Sequence, residues 1–238
     1  MRLALLAASL VLAAGGAGTA HAAGGSVPIL EYHVIGDPPA GAPFPNLYLS
    51  VADFRAQMGW LAAHGYRAVT MGAVWRHWTQ SAPLPGKPVV LTFDDGYPSD
   101  ATVVRRLLRS YGWPGNLNLH IGNLVPAQVR RLIAAGWEID AHTFDHRDLT
   151  TETPAELEHD VAGSRAWLRA VFGVPASFFC YPSGRYDATV IDAVERAGYD
   201  GAEAETPKAA TLADRWALGR FEILRGTGAA GVASVVRR

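Results

Sequence analysis

The chain has 238 residues, and its 21 Lys and Arg against 22 Asp and Glu leave a formal net charge of −1. That balance excludes the basic field with which proteins hold nucleic acid or anionic lipid, and a neutral or polysaccharide substrate fits it. A single cysteine, Cys180, excludes an internal disulfide, so stability must come from packing, and the thiol is expected to be buried and inert.

In chain order, Met1-Arg2 is a short positive start, Leu3 to Ala14 an apolar run, and Ala20-His21-Ala22 a small-x-small cleavage site. Residues 1–22 therefore read as a signal peptide and predict a secreted or cell-envelope protein. The run is short for a bilayer and no second one follows, so no integral membrane domain is expected; a membrane anchor is the alternative. Residues 23–238 suffice for one α/β domain with a full core.

Val27 to Tyr32 is strand-like, and Asp37 to Pro45, rich in Pro, Gly and Ala, reads as an exposed loop. Ser50 caps a predicted helix through His64 that Gly65 ends. Tyr66 to Thr70 reads as a strand and Met71 to Thr79 as a helix. The strand Val89 to Phe93 precedes a helix from Ser99 to Ser110, and Gly115 to His120 is a further strand. Pro126 to Ala135 is helical, with Pro at its start and Gly136 beyond its end. Trp137 to Ala141 is a strand, and Thr153-Pro154 opens a helix through Phe172. Ala176 to Tyr181, Asp187 to Ala197 and Phe221 to Leu224 then read as strand, helix and strand. Alternation of this kind implies parallel βαβ units, and six or seven strands suggest a closed or nearly closed barrel. A doubly wound open sheet competes, but no glycine-rich phosphate loop supports it.

Two motifs carry chemistry. A buried strand, Val89 to Phe93, runs into Asp94-Asp95-Gly96, and His142-Thr143-Phe144-Asp145-His146 follows about fifty residues later. A parallel strand ending in paired acids puts them at the carboxyl edge of the sheet, where α/β folds keep their sites. The histidines, four residues apart, are expected on one face of a helical turn, from which both reach one ion. One carboxylate and two imidazoles with open positions suit catalytic zinc or a similar divalent ion. Asp-Asp-Gly alone is also a common turn, and a lone histidine pair is often surface or core; finding both after such a strand favours a metal site.

These residues resemble the polysaccharide deacetylases, the NodB-homology domain of carbohydrate esterase family 4. Thr92-Phe93-Asp94-Asp95-Gly96 is similar to the first motif, His142-Thr143-x-x-His146 to the second and Tyr181-Pro182-Ser183-Gly184-x-Tyr186 to the third. The resemblance, from about Val27 to Arg225, implies a distorted (β/α)7-type TIM-like barrel. It also implies metal-dependent removal of acetyl groups from sugars, most often N-acetylglucosamine in polymers. By it, Asp95, His142 and His146 would bind the metal, most often Zn2+, with Co2+, Ni2+ or Mn2+ able to use the same ligands. Asp94 would be the general base, and Tyr181, Pro182, Ser183 and Gly184 would contact substrate, a backbone N–H near Ser183 facing the oxyanion. Asp145 and Asp148 compete as ligands but read as surface groups; Thr143 reads as a brace for the histidine loop.

The chain departs from the family's usual pattern twice. No histidine follows His159, although a late histidine commonly serves as acid in the family. Pro28-Ile29-Leu30-Glu31-Tyr32-His33 instead resembles the permuted branch, which includes exported poly-N-acetylglucosamine deacetylases, and makes His33 the expected general acid. The first and last strands of a closed barrel are neighbours, so the permutation preserves the site. Cys180 stands where the third motif usually has an arginine that orients the base, leaving Arg220 or Arg225 to replace it or to form only a structural salt bridge. Tyr97, Trp113, Phe144, Tyr181 and Tyr186 are candidates for stacking on sugar rings, though aromatics there are more often packing. The reading is an N-acetylglucosamine polymer deacetylase. An O-acetyl esterase on polysaccharide such as xylan, and an inactive glycan-binding protein of the same fold, are the alternatives.

Overall fold

A computed structural model describes residues 25–237; the segment read as an export signal lies outside them. The chain opens with β1 (Ile29–Tyr32), then β2 (Val34–Ile35) and β3 (Tyr48–Leu49), which pair with each other in parallel apart from the main sheet. Next come α1 (Val51–Ala63), β4 (Arg67–Val69), α2 (Met71–Gln80) and β5 (Pro88–Asp95). They are followed by α3 (Arg105–Ser110), β6 (Asn116–Leu119), α4 (Pro126–Ile133) and β7 (Glu138–Ala141). The second half adds α5 (Pro154–Glu158), α6 (Ser164–Phe172), β8 (Phe178–Cys180), α7 (Ala188–Arg196) and β9 (Gly201–Ala204). It ends with β10 (Leu218–Gly219), β11 (Phe221–Glu222) and α8 (Ala229–Val235).

The main sheet is parallel, in the order β10-β9-β8-β7-β6-β5-β1-β11, with β4 paired to the start of β5. Its two ends, β10 and β11, are separated in the chain by Arg220 alone. One segment thus pairs first with β9 and then with β1, and the sheet is nearly closed into a barrel, the expected architecture. β1 beside β11 is the adjacency of first and last strands that the permutation requires.

Local chemistry explains the frame. All eight residues of β5 are buried, as a parallel strand covered on both faces requires. Ser50, Thr70 and Asp187 accept the free N–H groups at the starts of α1, α2 and α7. Side chains alternate along a strand, so Ile29 shares a face with Glu31, Val90 with Asp94, Phe178 with Cys180, and Leu218 with Arg220. The first members form an apolar layer packed on Met71, Val74 and Trp78 of α2; the second form a polar layer above it. The barrel interior is therefore dry at one end and charged at the other.

Two predicted helices are not continuous α-helix. Asp100–Val104 and His159–Gly163 are π-turns ahead of α3 and α6, a wide-turn insertion often found beside functional sites. The second places Asp160, whose carboxylate accepts the Phe144 N–H at 2.8 Å. β9 was not predicted, because Gly-Ala-Glu-Ala lacks the β-branched and aromatic residues that mark strands.

Candidate active site

β5 ends on Asp94 and Asp95, and the chain turns at once: Asp95 has φ 71° and Gly96 φ 85°. β7 delivers His142 to the same edge, since its last residue, Ala141, is in register with Leu119 and Leu119 with Asp95. The histidines do not lie on a helical turn. Residues 142–148 are irregular, and Thr143 and His146 both take left-handed backbone, with φ 64° and 52°. The loop doubles back because the His146 N–H donates to Thr143 Oγ1 at 2.9 Å, the brace expected of Thr143. Spacing alone could not distinguish such a loop from a helix, because either brings two imidazoles four residues apart to one point. Among the described residues six non-glycines have positive φ, and four of them, Asp95, Thr143, His146 and Ser183, belong to the three motifs. Strain that the surrounding fold must hold is concentrated at the site.

Asp95 Oδ1 stands 3.5 Å from His142 Nε2 and 3.3 Å from His146 Nε2. His142 Nδ1 lies 2.9 Å from the Cys180 carbonyl, which fixes the proton on Nδ1 and turns the Nε2 lone pair toward Asp95. Asp95 Oδ1 is buried with no hydrogen-bond donor among the described residues. One orphaned carboxylate oxygen and two imidazole nitrogens converging within 4.8 Å form a possible carboxylate/histidine metal site, and this donor chemistry fits a divalent ion. Burial disfavours the Asp95 carboxylate, but the adjacent imidazoles outweigh it and hold its pKa well below the carboxylate range. Burial likewise opposes a charged His142, yet Asp95 and Asp94 raise its pKa, while burial and His142 lower that of His146.

Both oxygens of Asp94 are held by donors. Arg220 Nη1 lies 2.9 Å from each of its oxygens, Asn118 Nδ2 donates to Oδ1 at 2.9 Å, and the Cys180 thiol to Oδ2 at 3.4 Å. Arg220, one of the two arginines considered for the missing third-motif arginine, reaches Asp94 from the seam between β10 and β11, with Cys180 Sγ 3.3 Å from its Nη2. Arg225 is exposed and takes no part. Burial works against the Asp94 charge, but Arg220 prevails and keeps its pKa low. Arg220 also faces Glu31 Oε2 at 3.2 Å and Glu203 Oε2 at 3.3 Å. One guanidinium does not neutralise three buried carboxylates. Glu31, lying out of line with Arg220, has no hydrogen-bond donor among the described residues, and burial raises its pKa well above normal. Burial pushes Glu203 up to about 7 against the pull of Arg220.

His33 follows β1, whose Tyr32 is in register with Phe93 of β5, so it stands level with Asp94; its Nε2 is 4.0 Å from Glu31 Oε1. His33, Asp94, Asp95, His142 and His146 all line one open cleft of about 600 Å³, with Ser183, Glu205 and Glu222 in its wall. Two other groupings of potential ligands, Asp94–His142–Cys180 and Glu31–His33–Asp94, share Asp94, whose oxygens are already taken.

The third motif divides. Ser183, at φ 52°, lines the cleft. A Cβ on Gly184 would lie 2.7 Å from that of Glu205, so only glycine fits there. Pro182 is buried, and Tyr181 is core, its hydroxyl spent on the Trp216 carbonyl at 2.9 Å and its ring stacked on Tyr186. Of the candidate aromatics only Tyr97 lines the cleft; Trp113 is buried and Phe144 stacks on His159. Asp145 also lines the cleft but pairs with Arg147 at 2.6 Å, and Asp148 pairs with Arg185 at 2.6 Å. Asn118 and Glu203 escaped the sequence reading. His120, whose place after a strand lets it approach the site, is a cleft residue anchored on the Phe144 carbonyl at 2.8 Å.

The sequence model of the family described as "Polysaccharide deacetylase" matches residues 81–202, the span holding both acid and histidine motifs. "Putative polysaccharide deacetylase YxkH" of Bacillus subtilis (strain 168) is 28% identical over 207 residues, covering 84% of this chain and 72% of that protein. The poly-beta-1,6-N-acetyl-D-glucosamine N-deacetylase of Escherichia coli (strain K12) is 36% identical over 85 residues, 36% of this chain and 12% of that protein. Among solved structures, the Streptococcus pyogenes deacetylase PplD in complex with acetate superposes with a TM-score of 0.83 at 24% identity, covering 90% of this chain and 99% of that one. At that identity the likeness establishes the fold.

Proposed function

The chain belongs to the polysaccharide deacetylase family, and from that premise we propose that it is a secreted, zinc-dependent enzyme removing N-acetyl groups from N-acetylglucosamine-containing glycans. One observation carries the reading: the orphaned Asp95 Oδ1 between two imidazole nitrogens, with the Arg220-held Asp94 beside it, at the floor of a cleft. The relative that acts on poly-β-1,6-N-acetyl-D-glucosamine supports the substrate class, and the positive-then-apolar start of the chain supports export.

Asp95, His142 and His146 would hold the ion, which when bound lowers the pKa of water toward neutrality and polarises the acetyl carbonyl. Asp94, kept ionised by Arg220, is placed to accept the proton of the attacking water. A carboxylate fixed by three neighbours cannot swing away, so its geometry is set before substrate arrives. As the bond between acetyl carbon and sugar nitrogen breaks, His33 supplies a proton to the departing amine, and acetate remains. A backbone N–H near Ser183 would face the developing oxyanion. Cleft walls bearing Asp145, Glu205 and Glu222 suit a neutral or aminated sugar better than an anionic one. Among the described residues no helix is long and apolar enough to cross a membrane.

The test is acetate release from β-1,6- and β-1,4-linked N-acetylglucosamine oligomers, with chelator and with zinc restored. Chelator-sensitive release that zinc restores supports the proposal. Release only from acetyl-xylan would replace it with the esterase reading, and no release from metal-loaded protein would overturn it.

A further inference from the structure

Among the described residues only two large hydrophobic side chains are exposed, Phe44 at 66% and Val125 at 59%. Phe44 is the one in the cleft, where it and Leu47 line the same space as His33, Asp94 and the metal-site residues. Single exposed apolar groups are common on protein surfaces, but Phe44 stands with Leu47 in the wall of the cleft that holds the site residues.

The backbone beneath it is stiff. Phe44 lies between Pro43 and Pro45; proline fixes its own φ and restricts the residue before it to extended angles, and Phe44 has φ −130° and ψ 70°. Past Phe44, Pro45–Leu47 forms a 3₁₀ turn. The ends of the loop are tied by the β2–β3 pairing, by the Gly36 N–H on the Leu49 carbonyl at 2.8 Å, and by the Arg225 N–H on the Asn46 carbonyl at 2.8 Å. An aromatic ring on a pre-ordered strut loses little conformational freedom when it makes a contact. Apart from the ring of Tyr97, the other described wall groups are polar or charged, so Phe44 and Leu47 are the side chains without a polar group that this cleft offers.

Resting on the deacetylase reading, we propose that Phe44 is a substrate-binding residue, a platform on which the C–H face of a pyranose ring stacks while a neighbouring acetylated sugar reaches Asp94 and His33. Pyranose rings present such an apolar face whatever their linkage, so the platform favours a chain of sugars over a single acetylated unit.

The experiment compares wild type, Phe44→Ala and Phe44→Trp, with Val125→Ser as the matched surface control, all loaded with zinc. Binding of N-acetylglucosamine pentamers is measured calorimetrically in the Asp94→Asn background and turnover in the active enzyme. Phe44→Ala is expected to weaken pentamer binding about tenfold, the scale of losing one well-covered ring face, and to raise KM rather than lower kcat. Phe44→Trp should restore binding, and Val125→Ser should match wild type. Equal pentamer affinity in wild type and Phe44→Ala would overturn the inference while leaving the deacetylase reading intact. Pentamer binding that depends on Phe44 in a protein releasing no acetate would uphold the inference and reject the activity. A wild type that neither binds nor deacetylates the oligomers would overturn both.

Discussion

Replacing Arg220 with Met keeps most of the side-chain volume and removes the one cation among Glu31, Asp94 and Glu203, to which it lies at 3.2, 2.9 and 3.3 Å. Breaking a buried ion pair by deleting one partner costs about 3–5 kcal/mol, because the other charge is left unpaired. Asp94 would lose its ion pair, and the buried Glu31 and Glu203 the cation that faces both of them, so the upper part of that range is expected at pH 7.5. The pH dependence has a definite sign. In the wild type the folded pKa of Asp94 lies below its unfolded value of about 3.9, so its contribution is present above about pH 4 and lost as pH falls through the folded value. In the variant the pull of Arg220 is gone and the Asp94 pKa rises, opposed only by neighbours such as His142 and Asn118; Glu31 and Glu203, already raised above the unfolded reference, rise further. Such acids cost stability as pH climbs past about 4, where the unfolded chain ionises and the folded one does not. The deficit of the variant should therefore widen between pH 4 and pH 7.5. Urea titrations followed by tryptophan fluorescence at pH 4, 5.5 and 7.5 measure it, provided the m-value holds constant. Adding Glu203→Gln to the variant should recover part of the loss by removing one stranded acid. A deficit under about 1 kcal/mol at pH 7.5, or one flat with pH, would refute the electrostatic reasoning.

Asp94→Asn should retain metal in equilibrium dialysis while losing nearly all turnover, whereas His142→Ala should lose the metal itself; wild-type activity in Asp94→Asn would remove it as the base. His33→Ala should slow turnover about a hundredfold, the usual scale for a positioned acid, and an unchanged kcat would show that another group protonates the amine. Thr143→Val, which deletes the hydroxyl accepting the His146 N–H at 2.9 Å, should weaken metal affinity about 10–100-fold in chelator competition. Unaltered affinity would mean that the loop keeps its shape without that bond.

Where local pattern and final structure coincide, the residues themselves show why. β5 was legible because five consecutive apolar or β-branched residues run into Asp94-Asp95-Gly96, and a short run rich in β-branched residues that ends at a turn suits a buried strand. The helix starts at Ser50, Thr70 and Asp187 use caps a few residues from the groups they serve. What escaped depends on long-range neighbours. β9 is a strand because β8 and β10 flank it, while Gly201-Ala202-Glu203-Ala204 has little strand preference of its own. Phe44 lies inside a loop that composition marks, and its exposure is not a sequence property. Four-residue spacing fits both a helical turn and the loop that carries His142 and His146, and only the left-handed backbone at Thr143 and His146 separates them.

The position of Arg220 links barrel closure to chemistry. Because it is the residue between β10 and β11, its backbone stands at the seam where the sheet meets itself, and its side chain enters the polar layer beside Asp94. An arginine on the third motif would have come from β8, where Cys180 now contributes only a thiol 3.4 Å from Asp94. Bringing the cation from the seam keeps Asp94 paired and ties its orientation to the register of the closing segment. Cys180→Arg would then place two guanidiniums in one layer, and Arg220 could not retreat because it is 1% exposed and ringed by β1, β5 and β9. The single variant should therefore be poorly folded, while Cys180→Arg combined with Arg220→Met should refold and regain part of the turnover that Arg220→Met loses. Failure of the pair to recover activity, with stability restored, would show that the direction from which the cation reaches Asp94 matters as well as its charge.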